Sequence, residues 1–316
     1  MVKKPRQLHE SFRPCRDYMI AMVPLIGMAW YLYGLRAPVL IVLSLFVAFL
    51  CDVLAATMQR AQYDPSDLSS YMFAMVFTIM LPASSRYEII IIGTAVTVLL
   101  GKHAFGGYGA YPFNPAAFGF AFASICWSNA VYMYPSSFSS ISLAPDSGAD
   151  LHTSVASALK HGGVPIIDNT DFILGNYAGP MGTTFCLIIL SCLVLLIVHG
   201  AMTWHIPVMY LTTCAVWAAV FPRVPTGILS SLMLEMFSGA IIFAAVFIVA
   251  EPTTAPVNPK AKIVYGLLLG LGTMIFRTYG AYEMGVCFAI LLLNPLSSYL
   301  DRKLAPRAHR TRGARI

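Results

Sequence analysis

The sequence predicts an all-α membrane protein of about ten transmembrane helices, and three observations predict it. Hydrophobic residues make up 58% of the 316 and charged residues 11%, whereas a soluble domain carries roughly a quarter charged residues. Ten apolar runs follow one another along the chain, separated by polar segments that are short except for the stretch 135–180. With the first helix leaving the cytoplasm, only Arg36, Arg86, Lys160, Arg223 and Arg277 of the 20 Lys and Arg fall outside. That asymmetry obeys the positive-inside rule and puts both termini in the cytoplasm, with the inner cell membrane as the location.

Taken in order, residues 1–17 form a cytoplasmic segment with Lys3, Lys4 and Arg6 and no small-residue cleavage site, so the first apolar run is kept as a helix. The transmembrane domain covers 18–301, with runs at 18–35, 39–58, 68–81, 89–100, 115–132, 183–199, 208–221, 228–250, 263–276 and 284–300. A span needs about 17–25 apolar residues, so 68–81 and 89–100 are short and read as tilted, broken or extended by polar neighbours. The stretch 135–180 is an outer loop rich in Ser, Gly, Asp and Thr, with a short helix expected over 154–160. A loop of that length is usually functional, which makes it the place to look for chemistry. Residues 302–316 form a basic cytoplasmic tail suited to anionic lipid or partner subunits. The net charge of +6 is an orientation signal, and no nucleic-acid partner is expected.

The seven cysteines are scattered without a C-x-x-C pair, so no iron–sulfur or zinc site is expected. Two segments end in Asn-Pro before an apolar run, at Asn114-Pro115 and Asn258-Pro259. Asn as N-cap with Pro next is a good helix start. The sharper reading takes both as half-helix ends aimed at a cofactor or ion, as in transporters with broken helices and internal repeats. The glycines between Phe105 and Gly109 lack the strand and helix of a nucleotide fingerprint. Of the few charges at membrane depth, Asp52 sits near the inner end of its run and has water within reach, while Glu251 and Arg277 lie at run ends. Glu235 lies inside an apolar run and is the ion-pathway candidate, because an intramembrane carboxylate is functional by default.

Four segments carry a resemblance: GKHAFGGYGAYPFNPA from Gly101, LGNYAGPMG from Leu174, EPTTAPVNPK from Glu251 and RTYGAYEMGVCFAILLLN from Arg277. In that order they resemble the D subunit of the Rnf electron-transport complex, a relative of the B subunit of the sodium-pumping NADH:quinone reductase. The resemblance runs over nearly the whole chain. It implies a flavin-carrying membrane subunit, working with the other Rnf subunits, in a complex that couples electron transfer between ferredoxin and NAD to Na+ or H+ transport. It also implies FMN joined through its phosphate to a threonine of an outer-loop motif resembling Ser-Gly-Ala-Thr-Pro-Leu, and riboflavin as a second, non-covalent flavin.

At that motif the chain departs from the pattern. Ser147-Gly148-Ala149 is followed by Asp150, which has no hydroxyl to esterify. Counting back from Leu159-Lys160 places the acceptor at Ser154, whereas Thr153 beside it is the residue type the attachment prefers. Thr153 and Ser154 are therefore both candidates for covalent FMN, and N-capping of the short helix is the bland reading of either. Asn114 and Asn258 are the weaker flavin-site candidates. The expected enzyme role is that of an electron-carrying subunit with no NAD site of its own. The rival from another class is a ten-helix channel or secondary transporter without a redox role.

Overall fold

The structure is a computed structural model that describes residues 12–60, 62–139, 141–143, 150–163, 167, 169–224 and 227–304. Among these residues it is an all-α bundle with one small hairpin. α1 (Arg13–Tyr33) and α2 (Arg36–Met58) are followed by a short α3 (Ser69–Ile79) and by α4 (Tyr87–Ala95), which continues through a π turn, Val96–Leu100. α5 (Pro115–Cys126) and the single turn α6 (Ser128–Val131) lead to β1 (Met133–Pro135), which pairs antiparallel with β2 (Leu151–Thr153). Two short helices, α7 (Val155–Lys160) and α8 (Asn169–Leu174), precede α9 (Cys186–Val198) and α10 (His205–Val220). The chain continues as α11 (Ile228–Phe237), α12 (Ile241–Phe247), α13 (Pro259–Tyr279), α14 (Gly285–Leu293) and α15 (Leu296–Leu304). Helices 36–58, 87–105 and 259–279 are each long and apolar enough to cross a membrane unaided.

Each of the ten apolar runs overlaps at least one helix, and α11 and α12 share the run 228–250. The sequence reads 228–250 as a continuous run, but the structure breaks it between α11 and α12 with a bend of 49°. Gly239, with φ +67°, lies in that break. A Cβ there would approach Arg277 Nη1 to 2.9 Å, so only glycine permits both the turn and the close arginine. The first helix begins at Arg13, before the expected 18, and the basic tail beyond Leu304 lies outside the described residues.

The two halves repeat one arrangement in opposite orientations. α1–α5 correspond to α9–α14: α2 packs on α4 as α10 packs on α13, α1 on α3 as α9 on α12, and α4 on α5 as α13 on α14. The repeat is visible in residues as well, since the tetrapeptide Tyr108-Gly-Ala-Tyr111 recurs as Tyr279-Gly-Ala-Tyr282. Close helix packing in the second half rests on Gly266 and Gly270, spaced i, i+4 on α13. A Cβ on Gly270 would meet Thr213 Cβ at 2.6 Å and Tyr210 O at 2.9 Å. Small residues at this spacing let backbones meet in a membrane, where no hydrophobic force separates helix from lipid.

The short α3 and α12 end inside the bundle, and their last carbonyls need partners because lipid offers none. The 174–182 motif supplies them for α3: Met181 N donates to Leu81 O at 3.0 Å and Gly182 N to Ile79 O at 3.2 Å. Arg36, 1% exposed, then ties the next turn by donating to Ala83 O at 3.0 Å and Ser85 O at 2.9 Å. For α12, Asn114 Nδ2 donates to Ile248 O at 3.2 Å and the Tyr18 hydroxyl to Ala250 O at 3.2 Å.

Candidate functional site

The hairpin and α7 lie on the face opposite the N-terminus, against the turn 280–283 between α13 and α14. The hairpin is three residue pairs long, and Met133 pairs with Thr153 at its open end. Thr153 is exposed, as is every residue of β2. Ser154 is the next residue and its situation is opposite. It is 3% exposed and caps α7 by accepting from Ser157 N at 3.0 Å. Its hydroxyl also donates to Glu283 Oε2, while the Tyr134 hydroxyl donates to Oε1 of the same carboxylate. At the far end of α7, Lys160 Nζ donates to Gly280 O at 2.5 Å and Ala281 O at 2.6 Å. Burial pushes the Glu283 carboxyl up from its ordinary value, partly offset by its hydroxyl donors and the nearby cations. Desolvation lowers Lys160. The segment 147–149 lies outside the described residues.

The sequence thus offers two hydroxyls and the fold separates them. Thr153 Oγ1 belongs to an exposed side chain, and Ser154 Oγ is occupied by a carboxylate and a helix cap. Sequence reasoning missed Glu283, Tyr134 and the role of Lys160. A signal for Glu283 was present in the repeat, where Pro112 follows the first tetrapeptide and Glu283 follows the second.

Glu235 lies on the same face and is 1% exposed. Arg223 Nε reaches its Oε1 at 3.0 Å and Arg277 Nε its Oε2 at 3.1 Å. Arg277 Nη2 also donates to Ser238 Oγ at 2.5 Å, so the break between α11 and α12 is held by the same guanidinium.

Asn114 and Asn258 are both helix N-caps, accepting from Ala117 N at 3.1 Å and Lys260 N at 3.0 Å. Their amide nitrogens are also engaged, with Ile248 O and with Leu304 O at 2.6 Å. On this N-terminal face Glu251, 1% exposed, accepts from Thr254 N at 3.1 Å, Thr254 Oγ1 at 2.8 Å and the Thr253 hydroxyl. Asp52 does not reach water as its position in the run suggests. It is 6% exposed and contacts His103 Nε2 at 2.6 Å and Ser70 Oγ at 2.6 Å. Lys102, 1% exposed, completes the cluster, with Nζ 2.6 Å from Asp67 and 3.8 Å from Asp52. All seven cysteines are free and Cys126 alone is exposed.

Comparison with known proteins accords with this architecture. The chain is 28% identical to the D subunit of the ion-translocating oxidoreductase complex of Actinobacillus succinogenes over 322 aligned positions, covering 92% of this chain and 91% of that protein. It is 26% identical to the D subunit of the Na(+)-translocating ferredoxin:NAD(+) oxidoreductase complex of Acetobacterium woodii, over 94% of this chain and 90% of that one. The profile of the NQR2, RnfD, RnfE family matches residues 6–310. With that match spanning nearly the whole multi-pass bundle, the chain belongs to the NQR2, RnfD, RnfE family.

Proposed function

We propose that this chain is the flavin-carrying D subunit of an Rnf-type complex in the inner membrane, which couples electron transfer between ferredoxin and NAD to transport of Na+ or H+. The observation that carries the flavin reading is the exposed Thr153 hydroxyl at the end of a hairpin pinned to the bundle. The bound flavin supplies the redox chemistry, and the protein supplies position, hydration and electrostatics. Thr153 Oγ1 would hold the FMN phosphate as its ester oxygen, so that the attached group adds the mass of FMN less one water. Ser154, committed to Glu283 and to the α7 cap, serves the scaffold. With both termini cytoplasmic, this loop faces the outer side.

A non-covalent riboflavin would not be gripped by Asn114 or Asn258, whose side chains are engaged with backbone. The cleft on the N-terminal face beside them has a volume of about 300 Å³ and is walled by Pro14, Met202, Thr203, Pro252, Val257 and Lys262. That size lies at the lower end of small-molecule sites, and Lys262 gives it one cation, Nζ 2.9 Å from Thr203 Oγ1.

Intact-mass measurement and mapping of peptide 146–160 test the assignment. Chain produced together with a flavin-transfer enzyme should gain FMN minus water, lose it in Thr153→Ala and keep it in Ser154→Ala. A yellow band fluorescing in a denaturing gel separates the redox reading from a transporter without flavin. An unmodified peptide 146–160 overturns the covalent site.

A further inference from the structure

We propose that Glu283 and Lys160 are positioning residues, forming a two-point latch that docks the hairpin and α7 onto the turn 280–283 and so fixes the place of the Thr153 side chain. The inference rests on Thr153 being the acceptor, and goes beyond that reading by naming the residues that hold it.

The latch engages both ends of one short helix. α7 has six residues and is therefore about 9 Å long at 1.5 Å per residue. Its N-cap Ser154 is held by the Glu283 carboxylate, and its last residue, Lys160, is held by the carbonyls of Gly280 and Ala281. Both anchors lie within four consecutive residues of one turn. Glu283 adds a second function, because Tyr134 is on β1 and Ser154 follows β2 directly. One carboxylate therefore ties both strands of the hairpin to the membrane core.

The hairpin needs this help. Two strands of three residues are marginal in isolation, and β2 is exposed throughout. Thr153 is flanked by the anchored Ser154 on one side and by exposed β2 residues on the other. Without the latch its position is set by three residue pairs and by the apolar packing of Val155 and Leu159 under α7, which leave the polar ends of the segment untied. Electron transfer weakens steeply with distance, so a wandering attachment point would disperse the rate that a fixed one keeps uniform. The chemistry of the latch is also matched. A carboxylate 7% exposed needs donors to be tolerable, and the loop brings two hydroxyls to it. Backbone carbonyls of the turn need donors too, and the loop brings an ammonium.

The test reads the position of residue 153 without flavin. Thr153→Cys in full-length chain carrying Cys126→Ser is labelled with a nitroxide and its mobility followed by electron paramagnetic resonance in detergent. The label should be immobilised in the parent and several-fold more mobile in Lys160→Met and Glu283→Ala. Lys160→Arg should restore immobilisation, since a guanidinium spans the same two carbonyls. Should Glu283→Ala fail to fold, Tyr134→Phe removes one donor and leaves the buried ring in place, and an intermediate mobility is expected. Equal mobility in parent, Lys160→Met and Tyr134→Phe overturns the latch. The latch and the attachment fail separately. A native Thr153 without FMN but with latch-dependent label mobility sinks only the acceptor assignment. FMN on Thr153 with a label equally mobile in every variant sinks only the latch.

Discussion

Glu235 and Arg277 meet across α11 and α13 at 3.1 Å with both side chains at or below 3% exposure, and Arg223 closes the other carboxylate oxygen at 3.0 Å. The carboxylate that the sequence singles out as an ion-path candidate is therefore held shut by two cations in this arrangement. Buried charges removed from water cost several kcal/mol each and are tolerated when paired. One carboxylate between two guanidiniums leaves a net positive site, which attracts an anion and repels a cation until an arginine moves.

This geometry gives the first prediction. Glu235→Gln should leave the complex assembled and electron transfer partly active, while the number of ions moved per electron falls. It should also lower thermal stability, since two buried arginines lose their shared partner at a cost of about 3–5 kcal/mol. Arg223→Gln in the same background should recover part of that loss, as contacting residues are expected to couple. An unchanged ratio of ions to electrons in Glu235→Gln would show that the carboxylate only neutralises the arginines.

The second prediction concerns the N-terminal face. Lys102 is 1% exposed and lies between Asp67 at 2.6 Å and Asp52 at 3.8 Å. Lys102→Met leaves Asp52, 6% exposed, with His103 as its remaining basic partner. The expected loss is about 3–5 kcal/mol, the usual cost of breaking a buried pair, read as a lower unfolding midpoint of the purified chain. Asp67 is more exposed and Asp67→Asn should cost less. Equal effects from the two substitutions would remove the argument from burial.

Topology is the third. His161 is exposed beside α7, and Lys303 is exposed near the end of α15. In intact cells an impermeant thiol reagent should modify His161→Cys and leave Lys303→Cys unmodified until the membrane is opened, both in a Cys126→Ser background. Labelling of Lys303→Cys alone would invert the orientation drawn from the basic residues.

Much of the fold was legible because lipid simplifies the code. Every span must be apolar and internally hydrogen-bonded, so the ten runs announced where the apolar helices lie, and the placement of Lys and Arg predicts a sense that the labelling experiment tests. The Asn-Pro signatures announced the starts of α5 and α13, since a cap acts within three residues of itself. The 228–250 run gives no sign of its interruption, because the break depends on Arg277 of a later helix, and an apolar count does not see a partner at that distance. The bend of 49° is a tertiary choice made at Gly239 and Ser238.

The loop divides in the same way. By itself the sequence determined that a hydroxyl pair, Thr153 and Ser154, stands before a short helix, since cap preference and motif spacing are both local. Which hydroxyl is free was decided only when the chain folded. Glu283, more than a hundred residues away, came to rest against Ser154 and Tyr134, and Lys160 found the carbonyls of the same turn. Burial then occupied Ser154 and left Thr153 in water. The physical reason is that a desolvated carboxylate takes the nearest hydroxyls it can reach, and which ones are near is a property of the packed halves.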